Sequence, residues 1–424
     1  MNKLPDGWEI KKLKDILSNE KYSIKRGPFG SSLKKEFFIK EGVKVFEQYN
    51  PINNDPHWCR YRIDKKKYEE LKAFSCRAGD FLISCSGTLG KILLLPDNVE
   101  EGIINQALLK IRLNNKLVDN YYFLNLFQYE DFQKRIYIDA VGSAIHNIAS
   151  VNILKEMDVI IPPLDEQKRI ASVLSKIDAY LENTIKLIEE KERFKRGIAK
   201  KLLTCKEGEN IPEARFKGFE DEWEIVKLGD IGTITATGVD KKINDNETPI
   251  KLLNYLDVFN RNKLYEKEIS YMTTATEKQL EKCNIRKGDL FITPSSEDKK
   301  GIAKSSVAME DFKNTVYSYH IIRVRFNKEI DLKFKSYMCD TDFFHRQAYR
   351  LCDGSGQRYF IKLDNFRNME ICIPKSIKEQ EKIGGYLSLL DKEIDNLKKQ
   401  KELIKEMKRG AMQKLLSGEV RLLE

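Results

Sequence analysis

The sequence predicts an α+β fold in which a mixed α/β globule and a long helix occur twice in tandem. One reason is an internal repeat: "WEIKKLKDI", beginning at Trp8, returns as "WEIVKLGDI" at Trp223, with seven of nine letters identical. A second reason is a change of composition within each copy, from short apolar runs broken by Gly, Asn and Pro to a long charged stretch. A length of 424 residues also exceeds the roughly 250–300 residues at which a single core stops growing.

The repeat continues in the same order along the whole chain. The offset between the copies runs from 209 (287 less 78) to 215 (223 less 8). The repeated pairs are "AGDFLIS" and "KGDLFIT", "ALLKIRL" and "HIIRVRF", Gly142-Ser143 and Gly354-Ser355, "EQKRI" and "EQEKI", and "KRGIAKKLL" and "KRGAMQKLL". Because this period is far longer than that of a solenoid, the chain is interpreted as one module used twice.

The first part of each module has the composition of a small α+β globule. The segments "DFLISC", "KILLLP", "ALLKIRL" and "DVIIP" are short apolar runs that contain β-branched or aromatic residues, which predicts strands. The segment "YYFLNLFQYEDFQKRI" predicts one helix packed against them.

The second part of each module predicts a helix of about 38–40 residues, or roughly 55–60 Å. Apolar residues recur there at steps of three and four, as on one face of a helix. The predicted helix–helix interface consists of Ile170, Leu174, Ile177, Leu181, Ile188, Ile383, Leu387, Leu390, Ile394 and Leu397. Asp165 is the predicted N-cap of the first helix, Ser376 and Glu379 form a predicted capping box, and Gly418 is a predicted stop.

Such a narrow apolar stripe requires a partner, and the other helix is the expected one, in an antiparallel, coiled-coil-like pair. The alternative is that each helix packs back on its own globule. The predicted boundaries are 1–163 for the first globule, 164–205 for the central helix, 206–220 for a polar linker, 221–375 for the second globule, 376–418 for the distal helix and 419–424 for a tail.

Composition limits the classes of function. The net charge of +10 favours a polyanionic partner without establishing one. The N-terminus shows no signal-peptide pattern, and no apolar run approaches the roughly 20 residues of a membrane span, so a cytoplasmic protein is expected. The eight cysteines contain no C-x-x-C pair, which predicts reduced core thiols and no metal site.

The chain resembles the specificity (S) subunits of type I restriction-modification enzymes over essentially its whole length. The resemblance is carried by "GPFGSSL", "SGTLGK", "GSAIHNI", "IPPLDEQKRIASVLSKID", the junction "RFKGFEDEWEIVKLGDI" and "IPKSIKEQEKIGGYLSLLD". It implies two target-recognition domains, each reading one half of a bipartite duplex DNA target, and two helical regions that set the spacing. It also implies a chain without catalysis that docks two methyltransferase (M) subunits and, with them, restriction (R) subunits. S-adenosylmethionine, ATP and Mg²⁺ would serve those partners, with no cofactor in this chain.

Two alternatives stay open on the residues alone: a stand-alone DNA-cleaving enzyme with two DNA-binding lobes, and a coiled-coil scaffold without a nucleic-acid role. The sequence contains no N/D-P-P-Y/F methyltransferase motif, no Walker motif and no ordered Ser/His/Asp set. Glu189-Glu190-Lys191 matches part of a nuclease pattern, but it lies within the repeated helix. No catalytic residue is therefore predicted.

Candidate DNA contacts lie in loops that contain Gly, Lys, Arg and small hydroxyl residues, since such loops can approach phosphates and base edges. For the first domain they are Lys25, Arg26, Ser31, Ser32, Lys34, Lys35, Ser86, Thr88, Lys91, His146 and Asn147. The competing interpretations are a solvated turn for residues 25–36, a tight hairpin for "SCSGTLGK" and a structural Gly-Ser turn for "GSAIHNI".

In the second domain the matching segments differ most from their counterparts, as expected if each half reads a different sequence on a shared scaffold. Loops that merely drift would differ in the same way. The candidates are Lys241, Lys242, Ser295, Ser296, Lys299, Lys300, Gln357, Arg358 and Tyr359.

Overall fold

The structure is a computed structural model that describes residues 4–137, 148–206, 209–356 and 358–422. The chain divides into two compact units. The first unit is Met1–Ile185 with Gln400–Glu424, and the second unit is Lys186–Lys399. Each unit therefore contains one globule and part of each long helix.

The first unit contains two four-stranded sheets and a two-stranded ribbon. Its strands are β1 (Glu9–Lys12), β2 (Ile24–Arg26), β3 (Val43–Phe46), β4 (Tyr61–Ile63), β5 (Ser75–Cys76), β6 (Phe81–Ser84), β7 (Ile92–Leu94), β8 (Gly102–Ile104), β9 (Leu108–Ile111) and β10 (Asp158–Ile161). Its helices are α1 (Tyr49–Asn53), α2 (Lys65–Glu70), α3 (Asn120–Gln128), α4 (Glu130–Tyr137), α5 (Val151–Lys155) and the first part of α6 (Leu164–Leu203). The strand orders are β2-β9-β6-β7, β4-β3-β8-β5 and β1-β10.

The second unit repeats this plan. Its strands are β11 (Glu224–Lys227), β12 (Gly232–Thr235), β13 (Thr248–Leu253), β14 (Lys263–Leu264), β15 (Met272–Ala275), β16 (Asn284–Ile285), β17 (Leu290–Ile292), β18 (Ser295–Ser296), β19 (Ser305–Ala308), β20 (Phe312–Tyr317), β21 (Ile322–Phe326), β22 (Asp353–Ser355), β23 (Arg358–Phe360) and β24 (Glu370–Ile373). Its helices are α7 (Leu228–Ile231), α8 (Tyr255–Phe259), α9 (Glu277–Lys282), α10 (Leu332–Met338), α11 (Asp342–Leu351), α12 (Leu363–Asn368) and the first part of α13 (Ile377–Leu416).

The sheets of the two units correspond strand for strand. The order β12-β21-β17-β19 matches β2-β9-β6-β7, and β15-β13-β20-β16 matches β4-β3-β8-β5. The one parallel pair in the first unit's second sheet, β3 with β8, returns as β13 with β20. The second unit adds β14 at a sheet edge and a small sheet, β18-β23-β22. The internal repeat of the sequence is thus confirmed as a repeat of the fold.

A buried ion pair explains why "GD" recurs before a strand in both copies. Arg112 donates to both carboxylate oxygens of Asp80, at 2.6 and 2.8 Å. Arg325 does the same with Asp289, at 2.8 and 2.6 Å. Bidentate ion pairs of this kind fix the orientation of both side chains as well as contributing energy. In each unit the repeated aspartate therefore links the strand that follows it, β6 or β17, to the neighbouring strand, β9 or β21.

The predicted single helix over "YYFLNLFQYEDFQKRI" is wrong, because the structure contains two helices. The backbone of Tyr129 is extended and separates α3 from α4. This break allows Phe127, at the end of α3, and Phe132, in α4, to enter one core with ring centroids 5.5 Å apart. A continuous helix would direct these side chains along different lines of its surface.

The long helices α6 and α13 have 40 residues each and pair antiparallel within each unit. In the second unit, Lys191 contacts Glu393 at 2.7 Å, and Lys195, one turn later, bonds to Asp391. In the first unit, Lys408 contacts Asp178 at 2.6 Å and Gln400 bonds to Tyr180. In both units the residue numbers rise along one helix as they fall along the other.

The ends of these helices also enter the cores of the globules. Ile170 and Leu174 are buried in the first unit's core with Met412 and Leu415, and Ile383 and Leu387 lie in the second unit's core with Leu202 and Leu203. The remaining members of the predicted stripe are Ile188, Leu390 and Ile394, which are buried, and Ile177, Leu181 and Leu397, which are half-buried. Helix pairing and packing on the globule, posed above as alternatives, therefore occur together.

The cysteines within the described residues are free thiols. Burial raises the pKa of Cys85 to about 11 and that of Cys339 to about 12, so both stay protonated at neutral pH. Cys205 and Cys372 are an unpredicted neighbouring pair in the second unit, with sulfur atoms 2.9 Å apart. The described part of the chain contains no group of three or more His, Cys, Asp or Glu placed to hold a metal. None of its helices is long and apolar enough to cross a membrane.

Candidate nucleic-acid interface

In the first unit, the repeated tryptophan is anchored to the start of a long helix. The indole nitrogen of Trp8 donates to Glu166 at 3.0 Å, and Arg421 donates to both oxygens of that carboxylate at 2.8 Å. The Glu166 side chain is only 1% exposed. Burial alone would raise the pKa of Glu166, but the hydrogen bonds from Arg421 and Trp8 outweigh it and hold that pKa below its ordinary value.

The second unit contains the same anchor. Trp223 donates to Glu379 at 3.3 Å, and Arg215 donates to the two carboxylate oxygens at 2.7 and 2.9 Å. The Glu379 carboxylate, predicted to form a capping box with Ser376, thus binds the tryptophan and the arginine. Asp165, the predicted N-cap of α6, lies inside the first turn of that helix.

The glutamine that follows each glutamate completes the anchor. Gln167 donates to the carbonyls of Leu117 and Pro162 and accepts from the backbone of Asp119. Gln380 donates to Pro374 and accepts from the backbone of Asp331. The repeated "EQ" thus fixes each globule on its helix, with the glutamate bound to the repeated tryptophan and the glutamine bound to the backbone of the globule.

The loops of the first unit that differ most from their counterparts in the second unit meet at one edge of a sheet. Strands β2 and β6 both run antiparallel to β9, with Arg26 opposite Leu109 and Ser84 opposite Leu108. The ends of β2 and β6 therefore lie beside the start of β9. Strand β3 ends at the same edge, since its last residue pairs with the last residue of β8, just before the turn into β9.

Hydrogen bonds join these loops. Arg26 donates to the carbonyl of Cys85 at 3.4 Å, and the hydroxyl of Ser86 donates to Gln48 at 3.2 Å. "SCSGTLGK" forms the connection between paired strands β6 and β7, so the predicted hairpin is confirmed. Gly90 has a positive φ of 68°, and a Cβ there would lie 2.0 Å from the hydroxyl of Tyr137, so this turn favours glycine.

A basic cleft of about 790 Å³ opens beside the first of these loops. Lys25, Arg26 and Lys155 line this cleft together with Gln106 and Phe29. None of the described residues that line the cleft is acidic. The Lys25 ammonium lies over the rings of Tyr22 and Phe74, 5.3 and 5.4 Å from their centroids. Of the other candidates in this unit, Ser31, Lys34, Lys35, Thr88 and Lys91 are exposed and Ser32 is half-buried.

The second unit has the equivalent arrangement at the equivalent edge. Strands β12 and β17 end beside the start of β21, with Thr235 opposite Arg323 and Ile292 opposite Ile322. The short strand β18 pairs with β23, which places Ser295 opposite Phe360 and Ser296 opposite Tyr359. Two candidate segments distant in sequence, "SSEDKKG" and "GSGQRYF", are thereby brought together.

Side-chain contacts strengthen this second cluster. Arg358 donates to the hydroxyl of Ser295 at 3.2 Å, and the Lys299 ammonium lies 5.3 Å from the ring centroid of Tyr359. The Lys241 ammonium lies 5.5 Å from the ring centroid of Tyr271, and Lys242 is exposed. Among the candidates, His146, Asn147, Gln357 and the side chain of Lys300 lie outside the described residues.

Two residues of this cluster were missed from the sequence. The rings of His320 and Tyr319 lie against each other at a tilt of 36°, with centroids 3.9 Å apart, just before β21. Burial, together with the positive charges of Lys241 and Arg358, lowers the pKa of His320, so its imidazole is neutral at pH 7 and has one donor and one acceptor. Their counterparts before β9 include Gln106. The sequence signal that could have identified these residues is a difference between the two copies, at polar residues just before a strand that repeats.

The two units thus form a tandem α+β scaffold in which each helix start anchors a globule and each globule gathers non-repeating polar loops at one sheet edge. Residues 5–190 and 220–406 match the family described as the type I restriction modification DNA specificity domain. The chain belongs to this family, as a type I specificity subunit with two target-recognition domains. This confirms the resemblance and favours it over the nuclease and the scaffold.

The matches to curated relatives cover most of the length of those proteins. The chain is 26% identical over 327 residues to the type I restriction enzyme MjaVIII specificity subunit of Methanocaldococcus jannaschii, covering 76% of this chain and 75% of that protein. It is 24% identical over 434 residues to the putative type I restriction enzyme MjaX specificity subunit of the same organism, covering 100% of this chain and 96% of that protein.

Solved structures share the fold. A chain from a study of complex assembly and conformational transition of the type I R-M system matches with a TM-score of 0.63 at 13% identity, covering 99% of this chain and 100% of that chain. The type I restriction-modification S subunit from M. genitalium matches with a TM-score of 0.54 at 18% identity, covering 98% and 97%.

Proposed function

We propose that each target-recognition domain of this chain reads one half of a bipartite duplex DNA sequence, and that the chain itself carries no catalysis. The observation that carries the proposal is the position of the loops that do not repeat. In both units they meet at the same edge of an otherwise repeated sheet, between strands that the buried Asp–Arg pairs hold in place. A shared frame with differing loops suits two different half-sites.

Phosphates and bases would be contacted by different members of each cluster. Lys25, Lys241 and Lys299 supply charge for the DNA backbone, which sets the position of the domain on the duplex. Base edges require donors and acceptors in fixed directions, and Arg contacts guanine and Gln contacts adenine through two hydrogen bonds each. Arg358 and His320 in the second domain and Gln106 in the first are the side chains best suited to this role.

The proposed function also includes partner subunits. A chain that only reads DNA requires other subunits for modification and cleavage, and we assign these to two methyltransferase subunits and to restriction subunits docked through the helices. S-adenosylmethionine, ATP and Mg²⁺ would be bound by those subunits. The 40-residue helices, about 60 Å long, would set the number of unspecified base pairs between the two half-sites, because a duplex rises about 3.4 Å per base pair.

The test is DNA binding by the chain assembled with its methyltransferase subunits, using a pool of randomised duplexes whose bound members are sequenced. The variant Lys25→Ala/Arg26→Ala should bind more weakly and lower the slope of log affinity against log salt by about 1–2, since each lost phosphate contact removes about one released counterion. The second domain's preference should persist in the sequenced pool.

The matched control is Lys65→Ala/Lys66→Ala, which removes the same charge from the exposed start of α2. Strand β4 leads into α2 and runs antiparallel to β3, so these lysines lie at the opposite end of that sheet from the loop cluster. Equal losses in both variants would mean that only net charge matters. An assembly that selects no sequence from the pool would contradict the proposed function.

A further inference from the structure

The two most exposed large apolar side chains of the described residues occupy corresponding loops of the two units. Phe29 is 88% exposed and Ile243 is 68% exposed. Phe29 follows β2, and Ile243 follows β12, the strand that corresponds to β2 in the second unit. Loops that differ at most other positions therefore share an apolar side chain in water.

Both loops leave their sheets in the same way. A Cβ on Gly27 would lie 1.8 Å from the carbonyl oxygen of Asn105, and one on Gly238 would lie 2.3 Å from the carbonyl carbon of Ser318. Asn105 and Ser318 occupy equivalent places, since each follows the strand that pairs in parallel with β3 or β13 and precedes β9 or β21. The glycines allow each loop to cross this backbone closely before it reaches its apolar residue.

The residues beside each apolar side chain are fixed. Pro28, directly before Phe29, is buried and has a fixed φ, and Leu33 on the far side is buried as well. Next to Ile243, the carbonyl of Lys242 accepts from Thr273 at 3.2 Å and the backbone nitrogen of Asn244 donates to Thr274 at 2.9 Å. Each side chain thus projects from an anchored support, which lowers the entropic cost of inserting it into a partner.

Cations lie beside both side chains. Lys25 and Arg26 precede Phe29, and Lys34 and Lys35 follow it; Lys241 and Lys242 directly precede Ile243, which also has Asp240, Asp245 and Glu247 within four residues. A single exposed apolar side chain beside lysines differs from the contiguous apolar patch of a protein-binding surface. It fits a polyanion with an apolar interior, and in DNA that interior is the stack of bases, between which proteins insert Phe, Leu or Ile as wedges.

We infer that Phe29 and Ile243 are wedges, each of which inserts at one base step of its domain's half-site and opens that step. This inference rests on the proposed function. A wedge favours a step that unstacks at low cost, so each half-site should contain, or directly border, a flexible pyrimidine–purine step at the insertion point. Phe29 can also stack its ring on the opened base, whereas Ile243 can only separate the bases.

The experiment uses the chain assembled with its methyltransferase subunits, on the duplex whose modification it directs, found first by mapping modified bases. The fluorescent adenine analogue 2-aminopurine is placed in turn at each position of both half-sites. Apart from any target base that the methyltransferase subunits flip out of the duplex, we expect increased emission at one step per half-site. Phe29→Ala should abolish the increase in one half-site and weaken binding roughly tenfold, Ile243→Ala should do so in the other, and Phe29→Leu should retain most of the affinity.

Matched controls are Ile10→Ala and Ile225→Ala, which remove apolar side chains 51% and 47% exposed at corresponding places in β1 and β11. These should leave emission and affinity unchanged. Unaltered emission in Phe29→Ala and Ile243→Ala would overturn the inference, as would loss of methyltransferase subunits from those variants, which would assign the side chains to a protein contact. A chain that directs no modification at a bipartite sequence contradicts the proposed function at the mapping step, before any variant is made.

Discussion

At the scale of the residue, the polar contacts that join the globules to the helices centre on two buried glutamates. A carboxylate away from water is costly unless its oxygens are paired and hydrogen-bonded. In Glu166 and Glu379 both oxygens are bound by an arginine and one also by the indole of the repeated tryptophan. These two glutamates are therefore the points at which a one-atom change should do most harm.

Glu166→Gln and Glu379→Gln should each destabilise the protein by about 1.5–3 kcal/mol, because an amide cannot accept both hydrogen bonds from the arginine. Thermal or urea unfolding measures this. Asp165→Asn is the control, since it makes the same change in a neighbouring side chain that is 81% exposed. A loss no larger than that of Asp165→Asn would show that the anchor contributes nothing measurable.

The pKa of Glu166 gives this prediction a pH dependence. The folded pKa lies below the ordinary value of 4.5, so the unfolded chain binds the proton more readily. The stabilisation by Glu166 is therefore present above about pH 4.5 and is lost as the pH falls through the folded pKa. The difference in stability between the wild-type protein and Glu166→Gln should shrink over that range. A difference independent of pH would contradict the assigned ionisation.

At the scale of the element, the long helices were the most predictable part of the chain. Apolar steps of three and four fix a helical face, so their existence and approximate ends followed from the sequence. The break at Tyr129 did not, because the sequence there contains neither Gly nor Pro, and only the convergence of Phe127 and Phe132 on one core favours it. The binding of Glu379 to the tryptophan and the arginine could not be predicted either, since a glutamate three residues after a serine fits a capping box equally well.

The candidate site was predictable to a similar degree. Gly-rich and basic loops indicated the regions near Arg26, Ser86 and Ser295, but the pairing of β18 with β23 depends on residues about sixty positions apart. His320 and Gln106 have no motif around them. They face the cluster because a repeated strand begins beside two loops, and no single stretch of sequence contains that information.

Shortening the helices should change the spacing of the target. Removing seven residues from the middle of both α6 and α13 keeps the apolar faces in phase and shortens each helix by about 10 Å, or roughly three base pairs of duplex. The modified sequence should keep both half-sites and lose about three unspecified positions. Modification at the original spacing would refute the role of the helices as a ruler. The same deletion in α6 alone breaks the pairing and should prevent assembly.

At the scale of the whole molecule, the chain repeats its frame and varies its loops. The Trp–Glu–Arg anchor, the contacts of the repeated "EQ" and the buried Asp–Arg pair occur once per unit with the same partners. The loops that gather at the sheet edge differ at most positions, although they share their place, a closely packed glycine and one exposed apolar side chain. We therefore expect each domain to be exchangeable, because the contacts that attach it to the helices do not involve the residues that would read DNA.

The most direct test of this division exchanges residues 221–375 for the corresponding domain of another family member and maps modified bases in cells that express the hybrid chain with its methyltransferase subunits. One half-site of the recognised sequence should change to that of the donor, while the other half-site stays as it is in cells with the unaltered chain. If both half-sites changed, or neither did, the two domains would not read DNA independently, and the central claim would be wrong.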